Sequence, residues 1–252
     1  METRIDEIAD HVYRLSTFVA AAGPPAGFTF NQFLIDAEEP LLFHCGQRSL
    51  FPSVSAAAAR VLDLGRLRWI TFSHVEADES GSVNAWLSAA PRATAAHGRV
   101  GCAIWLTDAA DRPPRTLGDG EWLDLGGKEV QRIDTPHVPH SWDAGLLYEK
   151  TTGTLFCSDL FTHLGDPPAL TDGDIVGPAI AAEERFHFTS LTPDTGATMR
   201  RLAALEPRRL AVMHGSSYSG PAAPALEALA GYYDDKLRQS LRANLSPTQE
   251  EL

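Results

Sequence analysis

The sequence predicts an α/β fold in which one sheet packs on another and helices cover the outside. Three observations carry this. Stretches with period-two alternation take turns with single stretches of helical period in each half of the chain. Breaks rich in Gly and Pro separate them. A chain of 252 residues, 44% apolar and 21% charged, has globular composition and can bury a sizeable core.

The elements follow in order. His11–Val19 alternates, with Val12, Arg14 and Ser16 on one face and Tyr13, Leu15 and Thr17 on the other. Strands Phe28–Asp36 and Leu41–Cys45 come next, across Gly-Pro-Pro and Glu-Glu-Pro breaks, so the first 45 residues read as β-structure. Val54, Ala58, Val61 and Leu62 stand at i, i+4, i+7 and i+8, which predicts a helix over Pro52–Leu64 that stops at Gly65. A strand at Arg68–Ser73 leads into the polar segment Ser73–Ser82, and a helix runs from Ser82 to Pro91. A short helix at Gly101–Ala109 precedes the Pro-Pro loop of Asp111–Arg115. Three or four strands lie between Glu121 and Ser158, among them Glu129–Asp134, Gly145–Glu149 and Leu155–Ser158, with a hairpin turn at Gly126-Gly127-Lys128. A loop at Gly165–Gly177 is followed by helices at Thr195–Leu205 and Pro224–Leu241, with a strand at Arg209–Met213 between them. No repeat or linker divides the chain, so one domain is expected over 1–252, ending in a short polar tail at 245–252.

Charge and composition exclude several classes. The 33 Asp and Glu outweigh the 21 Lys and Arg, for a net charge of −12, and no basic run exists to meet nucleic acid or an anionic membrane. No stretch approaches the ~20 apolar residues that cross a bilayer. The charged opening METRIDEIADHVYRL is unlike a signal peptide. Cys45, Cys102 and Cys157 have no paired spacing, which argues against disulfides and a thiolate zinc site and for a reducing cytoplasm.

Chemistry concentrates in the loops. In an extended segment His74, Glu76 and Asp78 share a face, and two carboxylates on one face repel unless a cation lies between them. The competing reading of this segment is a solvated acidic loop. His137 and His140 follow the strand ending at Asp134, Asp159 follows Leu155–Ser158, and His214 follows Arg209–Met213. Each stands just past a strand end, where a rigid scaffold aims side chains from separate loops into one site, and together they favour a metal. Other candidates are weaker. There is no Gly-x-Ser-x-Gly, although Gly215-Ser-Ser-Tyr-Ser comes within one residue of it, and Gly126-Gly127-Lys128 lacks the other parts of a phosphate loop. His11, His97, His163 and His187 read as surface or structural, Trp142 and Tyr218 as core or rim packing rather than pocket lining, and Cys157 as a sheet residue.

His74-x-Glu76-x-Asp78, His140, Asp159 and His214 resemble the ligand set of the metallo-β-lactamase fold, an αββα sandwich of two mixed sheets. They are most similar to its flavodiiron branch and the related oxygen-binding diiron proteins. The stretch His140-Ser-Trp-Asp143, Tyr148 and Leu-Phe-Cys-Ser-Asp159 matches the branch without gaps. Ile8-Ala-Asp-His-Val-Tyr13 and Asn31-Gln-Phe-Leu-Ile35 also resemble its opening strands. The resemblance implies that His74, Glu76 and His140 hold one metal, Asp78 and His214 the other, and Asp159 bridges them. The spacing to Asp159 favours His140 over His137 as the ligand.

Three departures stand out. Glu79 occupies the place where flavodiiron enzymes usually have a second His, so it either substitutes as a ligand or leaves an open site. His44 replaces an Asp common at the end of the third strand. No flavodoxin domain follows. A mixed imidazole and carboxylate set suits iron, with zinc or manganese as alternatives. The resemblance thus implies two non-haem iron ions that bind or reduce O2, or NO, with electrons from a separate redox protein, in a homodimer. A dinuclear zinc hydrolase of an ester, lactone or thioester is the alternative, against which Glu76 speaks, and an oxygen sensor without turnover is another.

Overall fold

Alternating side chains set the layers. The structure is a computed structural model that describes residues 1–245. In β3 (Phe28–Ile35), Phe33 and Ile35 enter one core while Phe30 and Leu34 enter another. The same division recurs in β4 (Leu41–Phe43) and β5 (Trp69–Thr71), where Leu41, Phe43 and Trp69 face opposite to Leu42 and Ile70. Strands apolar on both faces must be covered on both, which forces a four-layer arrangement.

The first sheet runs β1 (Thr3–Ala9), β2 (Val12–Val19), β3, β4, β5, β6 (Thr94–Gly98), β7 (Arg115–Leu117), antiparallel as far as β4 and parallel from there. The second comprises β8 (Trp122–Asp124), β9 (Glu129–Asp134), β10 (Gly145–Glu149), β11 (Thr154–Phe156), β12 (Leu170–Thr171), β13 (Arg209–Ala211) and β14 (Ser217–Tyr218), in the order β12-β14-β13-β11-β10-β9-β8. Phe33, Phe43, Phe156, Leu147 and Val130 fill the space between the sheets, and the Phe156 ring lies 5.5 Å from Phe33 and 5.3 Å from Phe43. Helices α1 (Phe51–Ala58), α2 (Ala77–Ser80) and α3 (Val83–Ala89) lie in the first half of the chain. There α4 (Arg99–Gly101), a π-helical turn (Cys102–Leu106) and α5 (Thr107–Ala109) form one further helical segment. Helices α6 (Val176–Phe186), α7 (Thr195–Ala203) and α8 (Ala222–Leu245) follow in the second half. Side chains of α1 and α3 build the outer core of the first sheet, and those of α6, α7 and α8 that of the second.

The expected αββα sandwich of two mixed sheets is therefore what the chain forms. The Gly126-Gly127 turn is as expected, both glycines having positive φ (71° and 82°) where β8 and β9 pair antiparallel. Four strands occupy 121–158. Cys157 follows β11 directly and is buried on the outer face of its sheet, opposite Phe156.

Several expectations are corrected. The helix expected to Leu64 ends at Ala58, because the amides of Arg60 and Val61 turn back to the carbonyls of Ala57 and Ala58 and tighten the chain. Asp63 then caps a separate 3₁₀ turn, Leu64–Arg66. Strand β1 falls within the stretch read as β-structure but outside its named strands, and strands β6, β7, β12 and β14 and helices α2 and α6 fall outside the expected elements. β1 is half-exposed and charged, β6 is Ala-rich (TAAHG), and α6 carries Gly177 and Pro178 in its first turn. Past its first residue, the expected polar tail lies outside the described residues. Among the described residues no helix is long and apolar enough to cross a membrane.

Phe156→Ala should empty the space between the sheets and cost about 3–5 kcal/mol of unfolding free energy. Urea denaturation of the two proteins measures it.

Candidate metal centre

The strands deliver the site. β5 ends at Thr71, the chain bends over residues 73–75, where Glu76 N donates to His74 O (3.1 Å), and Glu76 itself is extended (φ −142°, ψ 160°) just before α2 begins. His74 thus stands on a bend and Glu76 directly before α2, whereas Asp78 stands on the first turn of α2. The expectation of one extended segment carrying all three is corrected at this point, and the turn sends Asp78 toward a different partner. His140 follows β9, Asp159 follows β11 and His214 follows β13. Cross-links hold these loops in register. Gly145 N donates to Ser73 O (2.9 Å), Met213 N donates to Ser158 O (3.0 Å), and the hydroxyls of Ser73 and Ser158 lie 2.6 Å apart.

Two clusters result, and they share Asp159. Glu76 Oε2 lies 2.9 Å from His74 Nε2 and 3.0 Å from His140 Nε2. Asp159 Oδ2 faces the same two nitrogens at 3.7 and 3.6 Å. Donor atoms of these four residues all fall within 4.8 Å of one another. The other oxygen of Asp159, Oδ1, lies 3.3 Å from His214 Nε2, which is also 3.3 Å from Asp78 Oδ2. One carboxylate therefore divides its two oxygens between His74, Glu76 and His140 on one side and Asp78 and His214 on the other.

The rings are aimed from behind. His214 Nδ1 donates to Thr29 O (2.8 Å), which leaves Nε2 for the cluster. Gly215 follows with φ +119°, and a Cβ there would lie 2.2 Å from the His163 ring, so this turn requires glycine. His163 in turn accepts from Ser216 N (2.9 Å). Behind the other cluster, Asp143 accepts from Val75 N (3.0 Å) and from buried His97 Nε2 (2.9 Å). Arg132 Nη1 donates to His97 Nδ1 (3.1 Å) and Nη2 to Asp143 O (3.1 Å). Burial, with the Arg132 charge, pushes His97 down to about 4 and keeps it neutral. His97 and His163 are structural, as expected, but the part His97 and Arg132 play in fastening the His74 loop to the His140 loop left no mark in the sequence.

Two further candidates lie elsewhere. His137 has φ 65°, is exposed, and lines a separate surface hollow with Thr192 and Arg201. Glu79 is buried, and its carboxylate turns away from the cluster. Its Oε2 accepts from Ser73 N (3.1 Å), His74 N (2.9 Å) and the Ser73 hydroxyl, and its Oε1 accepts from Ser158 Oγ (2.7 Å). Trp142 is exposed, and Tyr218 is buried in the outer core of the second sheet.

The electrostatics call for a cation. Burial alone would lower the His74 pKa, but Glu79, the hydrogen bond to Glu76 and Asp159 outweigh it and raise His74 to about 10. His140 is raised by Glu76 and Asp159 against the same burial, and His214 well raised by Asp159 and Asp78. The hydrogen bonds from His140 and His74 draw Glu76 down to about 2. Burial opposes ionisation of Asp159, yet His214, His74 and His140 hold it below the usual carboxylate range. Three carboxylates packed this closely take protons on their imidazole neighbours as the only positive charge at hand. Divalent ions would supply that charge and free the rings as nitrogen ligands, so the residues fit a metal pair.

Above the clusters lies a cavity of about 180 Å³, lined by Phe28, Phe186, Phe188 and Thr162 together with Glu76, Asp78, His140, Asp159 and His214. Phe28 lies 5.3 Å from the His214 ring and Phe188 lies 6.4 Å from that of His140.

Fold and site together define a metallo-β-lactamase-fold protein with a candidate metal centre where the strand ends of its two sheets meet. The chain belongs to the family described as ODP family beta lactamase, which matches residues 28–215. It is 27% identical over 168 residues to diflavin flavoprotein A 1 of Synechocystis sp. PCC 6803, a match covering 66% of this chain and 29% of that protein. Its fold is similar to rubredoxin oxygen:oxidoreductase from the anaerobe Desulfovibrio gigas (TM-score 0.79, 18% identity, 94% of this chain and 62% of that one). It is also similar to the Flv1 flavodiiron core from Synechocystis sp. PCC6803 (TM-score 0.77, 23% identity, 95% and 62%). The chain is thus a homologue of the flavodiiron core, and it spans about a third of the length of the curated relatives it matches first.

Because a metal must displace the proton that His74 holds up to about pH 10, apparent affinity should rise with pH and level off near that value. Each displaced proton gives about tenfold per pH unit, so the His74 proton alone gives about 100-fold between pH 6 and pH 8, and displacement from the raised His140 and His214 steepens the rise. Metal titrations at the two pH values check this, and calorimetry in buffers of different ionisation enthalpy counts the protons released.

Proposed function

We propose that this protein binds or reduces O2, or NO, at a non-haem diiron centre held by His74, Glu76 and His140 on one side, Asp78 and His214 on the other, and Asp159 between them. The observation that carries the reading is the division of the Asp159 oxygens between the two clusters. Glu76 supports iron over zinc, because it sets a carboxylate where the hydrolases of this fold carry an imidazole. The relatives point the same way, one solved structure being named as an oxygen oxidoreductase and another as a flavodiiron core.

The cavity supports a small ligand. At about 180 Å³ it is smaller than the ~300–1,000 Å³ of pockets that enclose drug-sized molecules, and it suits a diatomic gas better than a thioester. Phe28, Phe186 and Phe188 give it an apolar lining that disfavours water. With Glu79 turned away, Asp78, Asp159 and His214 would hold the second ion beside the cavity.

Two ferrous ions supply one electron each, whereas reducing O2 to water takes four, so turnover draws on a separate donor. The acidic chain favours a donor with a basic docking face. Free, buried cysteines are compatible with a cytoplasmic setting. A homodimer follows from the resemblance alone.

Anaerobically reduced, iron-loaded protein should change its absorption spectrum on meeting O2, and sustained consumption should require an added donor, slowing as salt screens the encounter. An unchanged spectrum together with thioester hydrolysis by the zinc form would overturn the assignment. Asp159→Ala should abolish the O2 response and lower iron content from about two per chain to below one, since a shared ligand of a two-metal site is lost. Elemental analysis of the purified variant measures that content.

A further inference from the structure

His44 and Glu79, the two departures in residue type from the resembling pattern, meet in space. They lie 35 positions apart in sequence, yet His44 Nε2 is 3.5 Å from Glu79 Oε1 and both side chains are buried (0% and 1% exposed). The backbones are laced together beside them. Cys45 N donates to Glu79 O (2.5 Å) and Ser82 N to Gly46 O (3.0 Å). His44 is fixed further by φ +69°, by its N–H on Thr71 O (2.8 Å) and by its ring against Phe43, centroids 4.2 Å apart. Among the described residues buried His44 Nε2 has no hydrogen-bond partner, and the carboxylate of Glu79, 3.5 Å away, is the acid it faces.

We propose that His44 and Glu79 are a reciprocal exchange of an acid and an imidazole, and that this pair positions His74. The pattern named above has an Asp at the first place and a His at the second, while this chain has the same two chemistries reversed. Either change by itself would bury two carboxylates or two imidazoles against each other, a contact without compensation in a dry interior. Made together, the changes restore complementarity. The exchange matters to the centre because the Glu79 carboxylate reaches His74 and the residue before Asp159. Its Oε2 accepts from His74 N (2.9 Å) and lies 3.3 Å from His74 Nδ1, and its Oε1 accepts from the hydroxyl of Ser158, the residue before Asp159. Glu79 is thus a positioning residue behind a ligand, and its other oxygen accepts from Ser158 Oγ with the His44 ring facing it at 3.5 Å.

The role at His74 rests on the metal reading above, whereas the pairing does not. The test compares wild type, H44D, E79H and the double variant H44D/E79H by three measurements: Fe(II) affinity, the absorption spectrum of the Co(II) form, and the melting temperature of the metal-free protein. Each single variant should bind Fe(II) about 10- to 100-fold more weakly and shift the Co(II) bands. The double variant should lose less Fe(II) affinity, and less melting temperature, than the two single losses combined, a coupling that independent sites do not show. A double variant whose loss equals the product of the single losses would overturn the exchange. Identical Co(II) spectra in all four proteins, with only melting temperatures coupled, would overturn the positioning of His74. If wild type binds no metal at all, the metal reading fails, and coupling of the melting temperatures still decides the pair. Should the charge-reversing variants not fold, E79Q, close in shape, decides the positioning: a tenfold or greater loss in Fe(II) affinity supports it, and unchanged affinity overturns it.

Discussion

Like charges held close together set the terms for the rest of this molecule. Glu76, Asp78 and Asp159 converge on three imidazoles at the end of a sandwich whose two sheets pack through an apolar core. Such an arrangement does not persist by itself, since side chains free to move would separate. The scaffold keeps them in place by setting Glu76 and Asp159 just past strand ends and Asp78 on the first turn of α2. The Asp143 carboxylate grips the His74 loop, the two serine hydroxyls join the sheets, and the Thr29 carbonyl orients His214. A cation then gains from an arrangement it did not have to assemble.

The architecture explains why two sheets are used. Parallel strands β4 and β5 deliver His44 and the His74 segment from one sheet, and parallel β11 and β13 deliver Asp159 and His214 from the other. Neither sheet alone completes either half of the cluster. Asp159 contacts both His74 and His214, so the centre also reports on how the two sheets sit against each other.

Much of this was legible in the sequence, for physical reasons. Strands such as Phe28–Ile35 announce themselves by large apolar residues on both faces, and acid and imidazole groups placed just past strand ends mark a convergent site. Strand β6 carries too little apolar bulk to show a period, and Gly177 and Pro178 obscure the start of α6. At the site, positions 74, 76, 140, 159 and 214 were read on the right loops, while the direction of Glu79 was not readable. Its carboxylate is captured by amides and hydroxyls that any sequence with serine at 73 and 158 could offer, and only the fold brings Ser158 beside Ser73. His97 and Arg132 escaped notice because a buried imidazole neutralised by its neighbours looks, in one dimension, like any other histidine.

The sulfur atoms hold one more consequence. Cys45 directly follows His44 and Cys157 precedes Asp159 by two residues, and burial pushes both thiols up, so neither offers a thiolate. Met213, which directly precedes His214, is also fully buried. Oxidants attack thiolates and accessible thioethers first. The sulfur beside the site residues in sequence is thus buried where by-products of the proposed oxygen chemistry reach it poorly, and the protein should endure repeated exposure without spending these side chains as sacrificial reductants.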